Sequence, residues 1–233
     1  RSIKPEIVFH AAAYKHVPIL EHFPGEAVTN NILATKNLVD IAKNAGTGAF
    51  ILVSTDKVVN PTNVMGVSKR ICEMYIQELN KESTCKYITV RFGNVLESNG
   101  SVVPIFKRQI WEGGPVTVTH PDVERYFMTI PEAVQLIIQS SAFGAGGEIF
   151  VLDMGKPVKI VDLARGLINL SSYQKDDIKI VFTGLRPGEK LSEELYMDGD
   201  KMLPTKHHKI KIFKTPCPLN IKELEVAISD LAR

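Results

Sequence analysis

Cysteine is scarce in this chain: Cys72, Cys85 and Cys217 are all it has. The number is odd and the spacing pairs none of them as metal ligands. That argues against a disulfide framework and against a zinc site, so no metal is assigned and reduced thiols in a cytoplasmic setting are expected. No apolar run reaches the roughly 18 residues a bilayer span needs, and no signal-peptide pattern opens the chain, so no membrane contact is expected from this segment. Charge of one sign is also scarce. Lys and Arg number 28 against 26 Asp and Glu, a net charge of +2, which makes no case for nucleic acid as the partner but leaves room for a small anionic ligand. Repeats, low-complexity tracts and a clear interdomain linker are lacking. G-x-G-x-x-G occurs nowhere, so the turn that normally holds a pyrophosphate at the start of a dinucleotide-binding sheet is missing. The chain starts at Arg1 and enters a strand-like run within a few residues. An upstream portion carrying that turn is therefore expected, with a membrane anchor as one option for the full-length protein.

What is present is a chain of 233 residues, 44% apolar, long enough for one large α/β domain or a domain with a smaller lobe. Ile7 to Phe9 reads as a short strand. Ala27 to Ala45 carries Val28, Ile32, Leu38, Val39, Ile41 and Ala42 largely at helical spacing, up to Gly46. Phe50 to Val53 is a second apolar strand, Met65 to Leu79 a helix, and Tyr87 to Phe92 a third strand. This alternation predicts a parallel sheet with crossover helices. Beyond Gly100 the pattern loosens. Helices are expected over Val103 to Trp111, Pro131 to Phe143 and Ile160 to Leu170, with strands at Val116 to Val118, Ile149 to Leu152 and Ile178 to Phe182. The boundary near residue 100 is soft, and the two parts are expected to interleave.

The residues that carry chemistry gather at one strand end. Ser54-Thr55-Asp56-Lys57 follows the second strand, and Met65 and Lys69 stand four apart on one face of the next helix. Read singly, Asp56 after Ser-Thr is an ordinary cap, Met65 a core side chain, Lys69 a solvated lysine and His16 a structural histidine. Asn94 at a strand end suits a turn, isolated arginines suit the surface, and His207-His208 beside Lys206 and Lys209 reads as a solvated basic turn. The adjoining Lys57 and the Lys69 spacing favour catalysis over capping at Asp56.

Several strings agree in order: His10-Ala11-Ala12-Ala13-Tyr14-Lys15-His16-Val17-Pro18, Ser54-Thr55-Asp56-Lys57, Pro61 through Met65 to Arg70, Arg91-Phe92-Gly93-Asn94-Val95, and Arg186-Pro187-Gly188-Glu189-Lys190-Leu191. Together, over roughly residues 5 to 196, they resemble the UDP-N-acetylglucosamine 4,6-dehydratases of the polysaccharide biosynthesis family, which are extended short-chain dehydrogenase/reductases. Most short-chain relatives place tyrosine where Met65 stands, and a thioether cannot pass the proton that a phenol can. Met65 makes the chain similar to the longer, often membrane-anchored subtype.

The resemblance implies a Rossmann-like doubly wound parallel sheet in an α/β fold, lacking its N-terminal strands, with a smaller C-terminal substrate lobe. Residues 1–100 would be the C-terminal part of the NAD-binding domain with the catalytic residues, and 101–233 mainly the UDP-sugar lobe. The implied cofactor is NAD, the partner a UDP-sugar, the assembly a homo-oligomer and the activity that of a hydro-lyase. The family scheme oxidises C4, eliminates water across C5 and C6, and returns the hydride to C6. Lys57 is then the base for C5, which requires an uncharged amine. Asp56 is the acid for the C6 hydroxyl, and Asp56 or a water ordered by Thr55 handles the O4 proton. Met65 packs against nicotinamide or sugar, and Lys69 bonds the nicotinamide ribose. Ala11, Ala12, Ala13, Ser54 and Asn31 are expected on the cofactor side, and Lys15, Asn94, Arg125, Arg186 and Glu189 on the UDP-sugar side. Two rival readings are a nucleotide-sugar 4-epimerase and a catalytically silent NAD- and UDP-sugar-binding scaffold.

Overall fold

The computed structural model describes residues 3–171, 177–196, 201–214 and 216–233. Strand β1 (Ile7–His10) leads through α1 (Val17–His22) and α2 (Pro24–Glu26) into a π-helical stretch, Ala27–Leu33, that continues as α3 (Ala34–Asn44). Then come β2 (Ala49–Val53), a 3-10 turn at Asp56–Val58, α4 (Val64–Leu79), a second 3-10 turn at Asn80–Glu82 and β3 (Lys86–Arg91). The middle of the chain holds β4 (Asn94–Val95), α5 (Val102–Trp111), β5 (Val116–Val118), β6 (Glu124–Arg125) and β7 (Phe127–Met128). It is followed by α6 (Ile130–Phe143), β8 (Ile149–Leu152), β9 (Val158–Lys159), α7 (Ile160–Asn169) and β10 (Ile180–Phe182). The last elements are β11 (Lys201–Pro204), β12 (Ile210–Lys214) and α8 (Ile221–Leu231).

The main sheet has six strands in the order β1-β2-β3-β8-β12-β11. Its first four strands are parallel, and β12 and β11 extend it antiparallel. The expected parallel sheet is there, joined by strand β8 from beyond residue 100 and by an edge pair the hydrophobic pattern does not announce. Lys201-Met202-Leu203-Pro204 and Ile210-Lys211-Ile212-Phe213-Lys214 mix charges into short strands, as edges that avoid further pairing do. The apolar strands β2, β3 and β8 are buried on both faces, the mark of a sheet covered on both sides. On one face Phe50, Leu52 and Tyr87 pack with Val39, Ile76 and Leu79 from α3 and α4. On the other, Ile51, Ile88 and Val90 pack with Leu136 and Ile137 of α6. A separate cluster, with Phe106, Ile110, Val118, Ala164 and Ile168 at its centre, forms the lobe from α5, β5, β10 and α7.

The helix expected over 27–45 forms with a change of pitch. Ala27–Leu33 adopts π geometry before the α-helical turns begin, a form that concentrates near functional sites. Asn31 sits in that stretch. No helix among the described residues is long and apolar enough to cross a membrane.

Candidate active site

The chain leaves β1, β2 and β3 at the same edge of the sheet, and the reactive residues stand just past those carboxyl ends, where open α/β sheets bind ligands. The 54–57 turn is pinned there because the Ser54 amide donates to Val90 O at 2.8 Å and the Asp56 amide to Phe92 O at 3.0 Å. Helix α4 starts under the turn. Asn63 caps it by accepting from the Gly66 amide at 2.7 Å, and Glu21 Oε1 accepts from the Val64 amide at 2.6 Å. Gly66 is required by closeness, since a Cβ there would lie 2.2 Å from Lys57 O.

These elements wall a cleft of ≈ 630 Å³, a size ordinary for a cofactor or small-ligand site. It is lined by Ala11, Ala13 and Lys15 after β1, by Ser54, Thr55 and Lys57 after β2, by Met65 and Lys69 of α4, and by Asn94. Arg125, Arg186 and Glu189 line it from the lobe side. Of the residues singled out in the sequence, Ala12, Asn31 and Asp56 are not on its wall. Ala12 is exposed. Asn31 is fully buried; its Oδ1 accepts from the Tyr14 amide at 2.8 Å, and its Nδ2 donates to Tyr14 O and to Ser68 Oγ, both at 3.0 Å. Its amide ties the loop after β1 to α4, which is the structural alternative to a cofactor contact.

Asp56 lies directly behind the wall at 1% exposure. Its Oδ1 accepts from Lys57 Nζ at 2.9 Å and from the Thr55 hydroxyl at 2.8 Å. Its Oδ2 is buried without a partner among the described residues, beside Gly93, where a Cβ would come within 3.1 Å of it. Lys57 Nζ also reaches Asn94 Oδ1 at 3.4 Å and Glu193 Oε1 at 3.7 Å. Met65 is buried against Leu20 and Ala27 while also lining the cleft, so core packing and wall are one role.

Lys69 is 5% exposed. Burial lowers its ammonium from the usual lysine range, with Cys72 and Glu73 opposing, and its Nζ makes no hydrogen bond or ion pair among the described residues. A buried donor facing a cleft without a partner suits the hydroxyls of a ligand. Beneath the wall, Ser54 Oγ donates to Glu73 Oε1 at 2.7 Å, and Arg91 holds the same carboxylate at 2.8 and 2.6 Å. Burial works to raise the Glu73 carboxyl, but Arg91, with Arg70 and Ser54, outweighs it and keeps the group below the usual range. This pair locks α4 to the ends of β2 and β3, and no local motif in the sequence reveals it.

On the lobe side the arginines differ. Arg186 is more than half exposed, and its Nε donates to Glu189 Oε2 at 3.4 Å. Arg125 is buried and gives its terminal nitrogens to the carbonyls of Glu124, Lys190 and Leu191 at 2.7 to 3.0 Å. In this structure Arg125 straps the Arg186–Leu191 loop in place while also lining the cleft. Lys15 donates to Ser98 Oγ at 3.2 Å. His207 and His208 stack on a turn, with His208 exposed, and no metal-ligating cluster occurs among the described residues. Glu193 is the residue sequence reasoning passed over. It follows Glu189 by four positions and lines the cleft at 5% exposure.

The architecture is that of a Rossmann-like α/β fold built on a largely parallel sheet. dTDP-glucose 4,6-dehydratase DesIV from Streptomyces venezuelae, solved with NAD and TYD bound, has the same fold, with a TM-score of 0.75 at 19% identity over 81% of this chain and 64% of its own. The model of the polysaccharide biosynthesis protein family matches residues 1–215, and the chain belongs to that family. Capsular polysaccharide biosynthesis protein CapD of Staphylococcus aureus is 55% identical over 230 residues, 98% of this chain and 38% of CapD. Pen from Bacillus thuringiensis matches at 33% identity with a TM-score of 0.84, over 97% of this chain and 75% of its own. The chain spans well under half the length of the curated relatives named first by similarity.

Proposed function

We propose that this chain carries the catalytic centre of an NAD-dependent hydro-lyase that converts UDP-N-acetylglucosamine to its 4-keto-6-deoxy product for surface polysaccharide or glycan synthesis. The observation that carries the reading is an amine on the wall of the cleft, Lys57 Nζ, 2.9 Å from a carboxyl just behind it, Asp56 Oδ1, in a cleft that also presents the amine of Lys69, which is without a hydrogen-bond partner among the described residues. NAD, when bound, supplies the temporary oxidation at C4 that makes the C5 hydrogen acidic. The side chains that fit it are Lys69 for ribose hydroxyls and the small residues Ala11, Ala13 and Ser54, which allow close approach. Residues 1–100 supply this side of the cleft and 101–233 mainly the UDP-sugar side, where Arg186 and Glu189 face the ligand.

Lys57, as the uncharged amine, takes the C5 proton. Asp56 stands behind the wall and reaches the sugar through Thr55, whose hydroxyl both lines the cleft and donates to Asp56 Oδ1. In that relay the Thr55 proton passes to the departing C6 hydroxyl as Asp56 replaces it, and the O4 proton travels the opposite way during oxidation. Met65 fills the phenol's place without titrating. An epimerase needs no acid–base pair for C6 and leaves the mass unchanged, and a silent scaffold holds the sugar nucleotide without turnover.

The pair is tested with Asp56→Asn in the full-length protein. C4 oxidation and water loss are both expected to fall, by roughly 10²-fold or more. Hydride transfer at the wild-type rate with only water loss blocked would contradict the shared role of Asp56.

A further inference from the structure

Glu193 stands in the catalytic wall with nothing yet for it to do. Its Oε1 lies 3.7 Å from Lys57 Nζ and 3.9 Å from Arg125 Nε, and its Oε2 is buried without a partner among the described residues. A buried carboxylate with an unsatisfied oxygen is costly, whereas a carboxylic acid or a closely paired ion is not. Two carboxyls, Asp56 and Glu193, thus converge on the one amine of Lys57, and only Asp56 is in hydrogen-bond contact with it.

We propose that Glu193 is the proton partner of Lys57, taking the proton the lysine must shed to act as a base. The inference rests on the function proposed above and names a positioning residue for it. In the step, one N–H bond of the Lys57 ammonium breaks and one O–H bond forms on the Glu193 carboxylate, giving a neutral amine beside a neutral acid. An approach of about 1 Å brings Nζ and Oε1 within hydrogen-bond range for the transfer. Asp56 stays engaged with the Thr55 hydroxyl on the other side of the amine.

The surroundings favour that exchange. Burial, with Asp56 beside it, pushes the Glu193 carboxyl above the usual carboxylate range, although Lys57, Arg125 and Lys190 work against this. Other titratable groups nearby are Glu189, 3.6 Å from Arg125 NH2, and Tyr126, Asp153, Glu194, Tyr196 and Lys211, which share a second cavity with Glu193. With Glu193 buried and the Lys57 side chain mostly so, an amine beside an acid competes better with an ammonium beside a carboxylate than it would in water, because the neutral pair needs less solvation.

The consequence is a difference in pH dependence that a merely structural residue would not produce. A neutral amine formed by internal transfer has a population independent of pH between the two titrations of the pair. An amine that must lose its proton to solvent becomes about tenfold more abundant with each pH unit below its own titration. Fluorodinitrobenzene labels only the uncharged amine, so its rate at Lys57, read by peptide mass spectrometry in the full-length protein, reports this population without substrate. The wild type is expected to give a flat rate from about pH 6.5 to 8.5, while free Nα-acetyl-lysine added to the same samples climbs about tenfold per unit. Glu193→Gln should make Lys57 climb like the free amine, and Glu193→Asp should restore the flat profile. A climbing profile in the wild type overturns the proposal whatever the variants do, and so does an unchanged flat profile in Glu193→Gln. Failure of the protein to remove water from the sugar nucleotide would instead count against the function and leave the labelling result standing.

Discussion

Lys69 and His10 show how burial at one edge of the sheet is turned to use. A buried ammonium without an ion pair among the described residues weakens the fold, and its place facing a cleft fits an exchange of stability for ligand binding. Lys69→Met is therefore expected to raise the melting temperature of the ligand-free protein while weakening NAD binding in the full-length protein; a lower melting temperature would contradict this. His10 is buried and its Nε2 meets Thr35 Oγ1 at 2.8 Å. Burial, and then the charge of Lys69, lowers the imidazole from 6.5 to about 4. The folded state thus prefers the neutral ring, so the stability it contributes is whole above pH 6.5 and is lost as pH falls from there toward 4. The melting temperature of wild type should fall more steeply over that window than that of His10→Gln, and parallel curves would remove His10 from the account. At this scale the sequence revealed Lys57, Asp56 and Lys69 because they sit close together in one strand-turn-helix unit. It hid Glu193, Arg91 and Glu73, whose meaning depends on partners 18 to 136 positions away in the chain, separations that no local spacing encodes.

Helices and strands with a strong apolar period were legible, and those without one were not. Strands β2, β3 and β8 and helices α4 to α7 follow their hydrophobic patterns to within a residue or two, as buried elements should. Helix α1, strands β11 and β12 and the helix α8 were passed over, being short, charged or far from the motifs. The π stretch at Ala27–Leu33 has no hydrophobic signature distinct from an α-helix. The joints between elements depend on two glycines. Gly188 has φ +73°, and a Cβ there would come within 2.9 Å of Asn63 Cβ and Val17 Cγ1. Asn63 both caps α4 and donates to Gly188 O at 3.2 Å. Gly188→Ala should displace the Arg186–Leu191 loop and raise KM for the sugar nucleotide more than it lowers kcat. Gly66→Ala presses instead on the Lys57 carbonyl and should lower kcat itself. Equal effects of the two changes on KM and kcat would contradict this separation of the wall into binding and reacting sides.

Across the whole molecule, the cleft exists because the lobe built from α5, β5, β10 and α7 is carried on the same chain that returns to the main sheet as β8. The lobe side of the cleft is held in place by Arg125 bonding to the 190–191 backbone, and the sheet side by Arg91 and Glu73 beneath Ser54. The central claim is that this enclosure lets Lys57 and Asp56 remove water from the sugar of UDP-N-acetylglucosamine. Its most direct test is mass spectrometry of the sugar nucleotide after incubation with the full-length protein and NAD in deuterium oxide. The account predicts a product lighter by one water and carrying one solvent deuterium at C5. A product of unchanged mass, whether recovered substrate or its C4 epimer, would contradict it.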